Sequence, residues 1–167
     1  MKIVFLDIDG VLNSTRTCVA HGGYPFDFDE KDMAQFDHTA IALVRGIVNA
    51  AGAQVVLSSA WRITHPFADV AKAFEMPIID RTPSLCSCRG DEIKHWLDAH
   101  PEVECYAIID DSGDMLTEQK PFFVQTDMHE GFLWRDAEKL AELLGLQSAY
   151  EASPARARAP AVALAWE

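Results

Sequence analysis

At 167 residues, with 49% hydrophobic and 24% charged side chains, the chain has the make-up of one globular domain large enough to bury a core. It carries 14 basic residues against 26 acidic ones, a formal net charge of −12. That excludes a protein that grips long nucleic acid non-specifically through clustered cations, and no apolar run approaches the roughly 18 residues of a membrane span.

Met1 and Lys2 lead directly into the first predicted strand, without the apolar core and cleavage site of a secretory leader, so a cytoplasmic location is expected. KIVFL, residues 2–6, is too short for a helix and reads as a buried central strand. Residues 14–37 hold the turn cluster HGGYP and the acidic FDFDEKDMAQFD, and read as a loop or small hairpin. In HTAIALVRGIVNAAG, residues 38–52, Ile41, Leu43, Val44, Ile47 and Val48 recur at helical spacing, and Gly52 stands where a C-terminal cap belongs. AQVVLSS is a second buried strand, PFADVAKAF a short helix with Pro66 at its first turn, and MPIID a third strand. GDEIKHWLDAH, residues 90–100, is an amphipathic helix with Ile93, Trp96 and Leu97 on one face. CYAIIDD and PFFVQT supply the fourth and fifth strands, and LWRDAEKLAELLG is the last helix, ending at Gly145.

Apolar strands alternating with helices predict an α/β fold: a Rossmann-like, parallel, five-stranded sheet sandwiched by helices. The domain is expected over residues 1–150, with 151–167, EASPARARAPAVALAWE, as a C-terminal tail whose apolar end AVALAW is a candidate for docking. Cys18, Cys86, Cys88 and Cys105 are expected as free thiols. Cys86 and Cys88, with His95 and His100 downstream, lack the spacing of a structural zinc site.

In an open parallel sheet, chemistry lies beyond the carboxyl ends of the strands. Three predicted strands finish there in reactive groups: the first in Asp7, the second in Ser58, the fourth in Asp110 and Asp111. Asp7, Asp9, Asp110 and Asp111 brought together would repel one another, raising their pKa values or demanding a cation. All-oxygen ligands favour a hard ion, and Mg²⁺ is the economical choice. An EF-hand is excluded, because in DIDGVLNSTRTC the glycine stands fourth rather than sixth and no Glu closes the loop.

FLDIDGVLN resembles the first motif of the haloacid dehalogenase (HAD) superfamily, a strand followed by D-x-D-G. VVLSS resembles its second motif and AIIDDSGD its fourth, while Arg89 and Lys94 in RGDEIKHWL both qualify for the Lys or Arg of the third. The motifs stand in the family's order across residues 3–114. LSSAWR, RGDEIKHWL and VQTDMHEGF are similar to the pattern of HAD domains associated with nucleic-acid end repair.

The resemblance implies a Mg²⁺-dependent phosphomonoesterase working through an aspartyl-phosphate. Asp7 would be the nucleophile and Asp9 the general acid, then base, with its backbone carbonyl on the metal. Gly10 would let the chain turn away beside the phosphoryl group. Ser58, with Ser59 beside it, would bind phosphoryl oxygens, Arg89 or Lys94 would balance transition-state charge, and Asp110 and Asp111 would complete the metal shell. Arg89 is favoured over Lys94, because it opens the helix near the strand edge and its guanidinium can hold two oxygens.

Among nearby residues, Arg62 is a candidate phosphate grip and Trp61 a candidate base stack, although core packing suits Trp61 better. Asn13 is a candidate for pinning the first-motif loop, Ser112 and Asp114 for orienting the metal acids, and Thr126 and Asp127 for capping loops. His21, His65 and His129 suit structural or solvated roles.

Neither residues 14–37 nor 81–88 can hold a full cap domain, so the site is expected to be open, roofed by a minimal loop. The substrate is expected to be a nucleotide, a nucleic-acid terminal phosphate or another small phosphate ester, without extended non-specific nucleic-acid binding. A phosphotransferase of the same fold and a non-catalytic phosphate-binding module are the alternatives.

Overall fold

The computed structural model describes residues 1–152 of the chain; the candidate docking segment AVALAW lies outside them. Five strands form one sheet: β1 (Lys2–Leu6), β2 (Gln54–Leu57), β3 (Ile78–Arg81), β4 (Cys105–Asp110) and β5 (Phe123–Gln125). Their order is β3-β2-β1-β4-β5, and every neighbouring pair is parallel. This is the Rossmann-like arrangement expected of the sequence. β1 lies at the centre, and its Ile3 to Leu6 are fully buried. Its side chains alternate between faces, and both faces are covered, so it reads as an unbroken apolar run.

Seven α-helices accompany the sheet among the described residues: α1 (Thr15–His21), α2 (Glu30–Met33), α3 (His38–Ala51), α4 (Trp61–Thr64), α5 (Phe67–Phe74), α6 (Arg89–Asp98) and α7 (Trp134–Leu143). On one face Val4, Leu6, Val55, Leu57, Ala107 and Ile109 pack against Val44, Ile47 and Val48 of α3, Val70 and Phe74 of α5, and Leu140 and Ala141 of α7. On the other, Ile3, Phe5, Val56 and Ile108 meet Ile93 and Trp96 of α6. Trp96 also donates its indole N–H to Asp80 Oδ2 at 2.7 Å, tying α6 to β3. No helix among the described residues is long and apolar enough to cross a membrane.

The loop or hairpin expected over residues 14–37 is instead two short helices. Ser14 caps α1 in a capping box with Thr17, whose hydroxyl answers the Ser14 N–H at 2.8 Å. Asp29 caps α2, accepting from the Asp32 N–H at 2.8 Å. The acids that made this stretch look solvated are therefore partly caps. Helices of seven and four residues are too short to show helical periodicity. The same brevity hid α4 and the 3-10 helix Thr117–Phe122.

The start of α6 is fixed by a close approach. A Cβ on Gly90 would stand 2.6 Å from the Leu116 nitrogen and 2.7 Å from Gln119 Oε1. Only a glycine lets the helix meet the segment after β4 this tightly, and its neighbour Arg89 is thereby brought to the sheet edge.

Candidate active site

β1, β2 and β4 end side by side, and their next residues gather at one point. Leu6 pairs with both Leu57 and Ile109. The Asp7 N–H donates to the Ile109 carbonyl at 2.9 Å, and the Ser58 N–H to the Leu6 carbonyl at 2.8 Å. Strand register alone therefore sets Asp7 beside Ser58 and Asp110. Asp7, Asp110 and Asp111 each present an oxygen within 4.8 Å of the others. Asp7 is 6% exposed and Asp110 1%.

Such crowding leaves a mark on titration. Burial, then the Asp7 charge, pushes the Asp110 carboxyl up to about 8. Burial raises Asp7 to about 6, opposed by the Arg89 guanidinium and by the Ser59 side chain. Asp111 is raised too, first by burial. Asp110 Oδ2 is buried without a hydrogen-bond partner. Three acidic oxygen donors, one of them unpartnered, fit a hard divalent cation such as Mg²⁺.

Gly10 makes room for this cluster. It adopts φ +71°, and a Cβ there would lie 2.5 Å from the Asp111 carboxyl carbon. Thr126, just past β5, donates its hydroxyl to the Gly10 carbonyl at 2.8 Å and so pins the turn. Asn13 pins it from within, accepting from the Gly10 N–H at 3.2 Å and donating to Asp9 Oδ1 at 2.8 Å.

Asp9 stands outside the three-carboxylate group and is exposed to the cleft. Its side chain is held from a second direction. The Trp61 indole N–H lies 3.1 Å from both carboxylate oxygens. Trp61 is 7% exposed and wedged against Phe28, Phe36 and His65. It is thus a wall that orients an acid. Packing dominates, as expected, but the hydrogen bond from the indole to Asp9 was not foreseen.

The two candidate cations of α6 part company. The Arg89 guanidinium donates to the Ser58 carbonyl, and its Nε lies 3.5 Å from Asp110 Oδ2. Lys94 is not brought to the site. It sits about 140° farther round the helix, is exposed, and pairs with Asp98 at 2.8 Å. Arg62 also departs from expectation. Its guanidinium is consumed inside the protein, donating to the carbonyls of Ser59, Thr82 and Pro83 and to Glu92 at 2.6 Å. It clamps the turn after β2 to α6 and leaves no free edge for a phosphate. Ser59 is fully buried and acts on Asp7, whereas the buried Ser58 hydroxyl has no partner within the protein.

Ser112 holds an acid as expected, its N–H donating to Asp110 Oδ1 at 2.9 Å, whereas Asp114 orients Arg89. Asp114 Oδ2 accepts from the Arg89 N–H at 3.1 Å, and Oδ1 accepts from Ser112 Oγ at 3.0 Å. Asp127 caps its loop as expected, accepting from the His129 N–H at 2.7 Å. Of the histidines, His65 lines the cleft, while His129 bonds Thr15 at 3.0 Å. The four cysteines are free thiols, and the acidic group is the only metal-competent cluster among the described residues.

A parallel sheet with this order, carrying D-x-D-G, Ser58 and paired acids on adjoining strand ends with Arg89 beside them at the start of α6, defines a HAD-type domain with phosphoesterase-type chemistry. Residues 3–137 match the HAD domain in Swiss Army Knife RNA repair proteins, and the chain belongs to that family. Neither curated proteins nor solved structures gave a match.

The raised carboxyls predict a pH dependence. In the unfolded chain both acids titrate near 3.8, against about 6 and about 8 in the fold. Between those values the folded state holds more protons, so stability is greatest near the lower limit and is lost as pH rises toward 8. In chelator, the thermal midpoint should fall from pH 5 to pH 8, and Asp110→Asn should flatten that slope. Mg²⁺ should raise the midpoint more at pH 8 than at pH 5, because it needs ionised ligands. A magnesium shift independent of pH would rule out these acids as its ligands.

Proposed function

We propose that the protein is a Mg²⁺-dependent phosphomonoesterase that removes a terminal phosphate from a nucleotide or nucleic-acid end through an aspartyl-phosphate on Asp7. The observation that carries this reading is the meeting of Asp7, the unpartnered Ser58 hydroxyl and the Arg89 guanidinium at one sheet edge. Membership in a family described by RNA repair supports the substrate class.

Mg²⁺ held by Asp7, Asp110 and Asp111 would neutralise enough charge for a phosphate dianion to approach an acid. The Asp7 carboxylate attacks phosphorus, and the bond from phosphorus to the ester oxygen breaks. Asp9, steadied by Trp61 and Asn13, delivers a proton to the departing oxygen. Ser58 donates to a phosphoryl oxygen, and Arg89 stabilises the charge that spreads over the equatorial oxygens. Asp9 then takes a proton from the water that attacks the aspartyl-phosphate, which frees Asp7 and inorganic phosphate. The Ile8 N–H, 2.8 Å from Asp7 Oδ1, keeps the nucleophile aimed. A phosphotransferase would need this second acceptor to be an alcohol, and nothing at the site favours one.

The direct test is hydrolysis of para-nitrophenyl phosphate and of 3′- or 5′-phosphorylated oligonucleotides. Activity should require Mg²⁺, vanish in EDTA, and be abolished by Asp7→Asn, since an amide forms no phospho-enzyme. Near-normal turnover by freshly prepared Asp7→Asn protein would remove Asp7 as the nucleophile.

Arg89→Ala should lower kcat/KM by about 2–4 kcal/mol of transition-state stabilisation, as for one preorganised donor. Lys94→Ala should cost little, because its partner is Asp98 on the exposed helix face. Single-mutant kinetics, with folding checked by circular dichroism, decide between them.

Trp61→Phe keeps a ring in the wall but removes the donor to Asp9. Alkyl phosphates, whose leaving oxygen needs a proton, should slow about tenfold, a part of the whole general-acid contribution. Para-nitrophenyl phosphate should slow much less. Equal losses on both substrates would make Trp61 a packing residue only.

A further inference from the structure

Beside the acids lies a cleft walled by rings rather than charges. Its volume is about 600 Å³, inside the range of roughly 300–1,000 Å³ typical of small-molecule sites. Asp9, Gly10 and Asp111 form part of its lining, so it opens directly onto the carboxylate cluster. Tyr24 and Phe26, between α1 and α2, line it together with Trp61 and Met128. Phe26 is 79% exposed and Met128 51%, so the core uses neither. Trp61 is locked by Asp9 and by His65, whose ring stacks on it at 4.9 Å. One wall is therefore rigid, and Phe26 and Met128 offer large apolar groups that are mostly uncovered.

The two hydroxyls in the cleft are already committed. The Thr64 hydroxyl bonds His65 Nδ1 at 2.9 Å, and the Tyr24 hydroxyl donates to Thr15 at 3.4 Å. Among the described residues, no lysine or arginine lines the cleft. It offers stacking surface, few free donors, and no cation for a second phosphate.

Resting on the phosphatase reading above, we propose that this cleft takes the unpaired base of the nucleotide whose phosphate reaches Asp7. The base stacks on the rings of Tyr24 and Phe26 without being read by its edge. Every base has a π-face, so stacking tolerates all four. A base held between walls cannot keep a pairing partner, so the substrate is a single-stranded end or a mononucleotide. Further phosphates would meet the Asp9 carboxylate with no lysine or arginine in the cleft to offset it, so monophosphates are preferred over di- and triphosphates.

The test compares kcat/KM for a nucleoside monophosphate and for ribose phosphate esterified at the same position, in the native chain and in Phe26→Ala. The nucleotide should lead by at least about tenfold, within the usual worth of one base–aromatic stack. The four bases should agree within a few-fold, and Phe26→Ala should collapse the ratio of the two substrates. Phe26 is exposed, so this variant should fold, which circular dichroism checks. Equal kcat/KM for the two esters, or a ratio unchanged in Phe26→Ala, overturns the stack while leaving the phosphatase reading intact. If neither ester nor para-nitrophenyl phosphate turns over, the phosphatase reading falls, and the stack is judged by calorimetry with Mg²⁺ present. In that case nucleoside monophosphate must still bind at least about tenfold tighter than ribose phosphate, and equal affinities overturn the stack.

Discussion

The mutual repulsion of Asp7, Asp110 and Asp111 is the constraint around which the rest of this molecule is arranged. Parallel register forces it. Once Leu6 is paired with Ile109, the residues after β1 and at the end of β4 have nowhere else to point. Burial then denies these acids the water that would screen them. Raised pKa values and an Asp110 oxygen without a hydrogen bond are two expressions of one unfavourable electrostatic arrangement, which the Arg89 guanidinium, 3.5 Å from that oxygen, partly relieves. A group that carries positive charge relieves it, and a phosphoryl group then has a reason to bind. The site is costly to the fold for the same reason that it is suited to phosphoryl chemistry.

Holding a positive side chain at that spot takes much of the surrounding structure. Arg89 must reach inward from the first turn of α6, so that turn is anchored on several sides. Asp114 caps the Arg89 N–H, Gly90 admits the close contact with Leu116, and the Arg62–Glu92 pair ties the helix to the turn after β2. The two arginines near the site have different tasks. Arg62 makes four hydrogen bonds within the protein, and Arg89 keeps its charge at the acids. A buried pair such as Arg62–Glu92 adds little net stability but is expensive to break, which suits a joint whose geometry must not drift.

A net charge of −12 sits awkwardly with action on nucleic acid unless recognition is local. So negative a net charge opposes long-range attraction to a phosphate backbone. Under the base-stacking proposal a cleft of rings beside the acid cluster would resolve the tension, because stacking is short-ranged and indifferent to net charge. The segment between the first motif and α3 contributes Tyr24 and Phe26 to the lining of this cleft.

Much of this was legible in the chain itself. Apolar runs of four to six residues ending in Asp7, Ser58 and Asp110 marked the strands, and their shared endings located the site, because hydrophobic periodicity and parallel-sheet geometry act locally and generally. The long helices α3, α6 and α7 declared themselves by period, while α1, α2 and α4 did not, since one or two turns carry no period. What remained for the tertiary structure was the assignment of individual side chains. Lys94 and Arg89 both qualify in the sequence, which favours Arg89 only by its place at the helix start, and about five residues of helical rotation put one in solvent and the other at the acids. Arg62 looks like a phosphate ligand until the carbonyls of residues 59, 82 and 83 are seen closing around it. The Trp61 bond to Asp9 and the Thr126 bond to Gly10 join residues 52 and 116 positions apart. Residue type and spacing determine which chemistry is available, but contacts between distant segments exist only when the chain has closed on itself, and those decide which residue performs it.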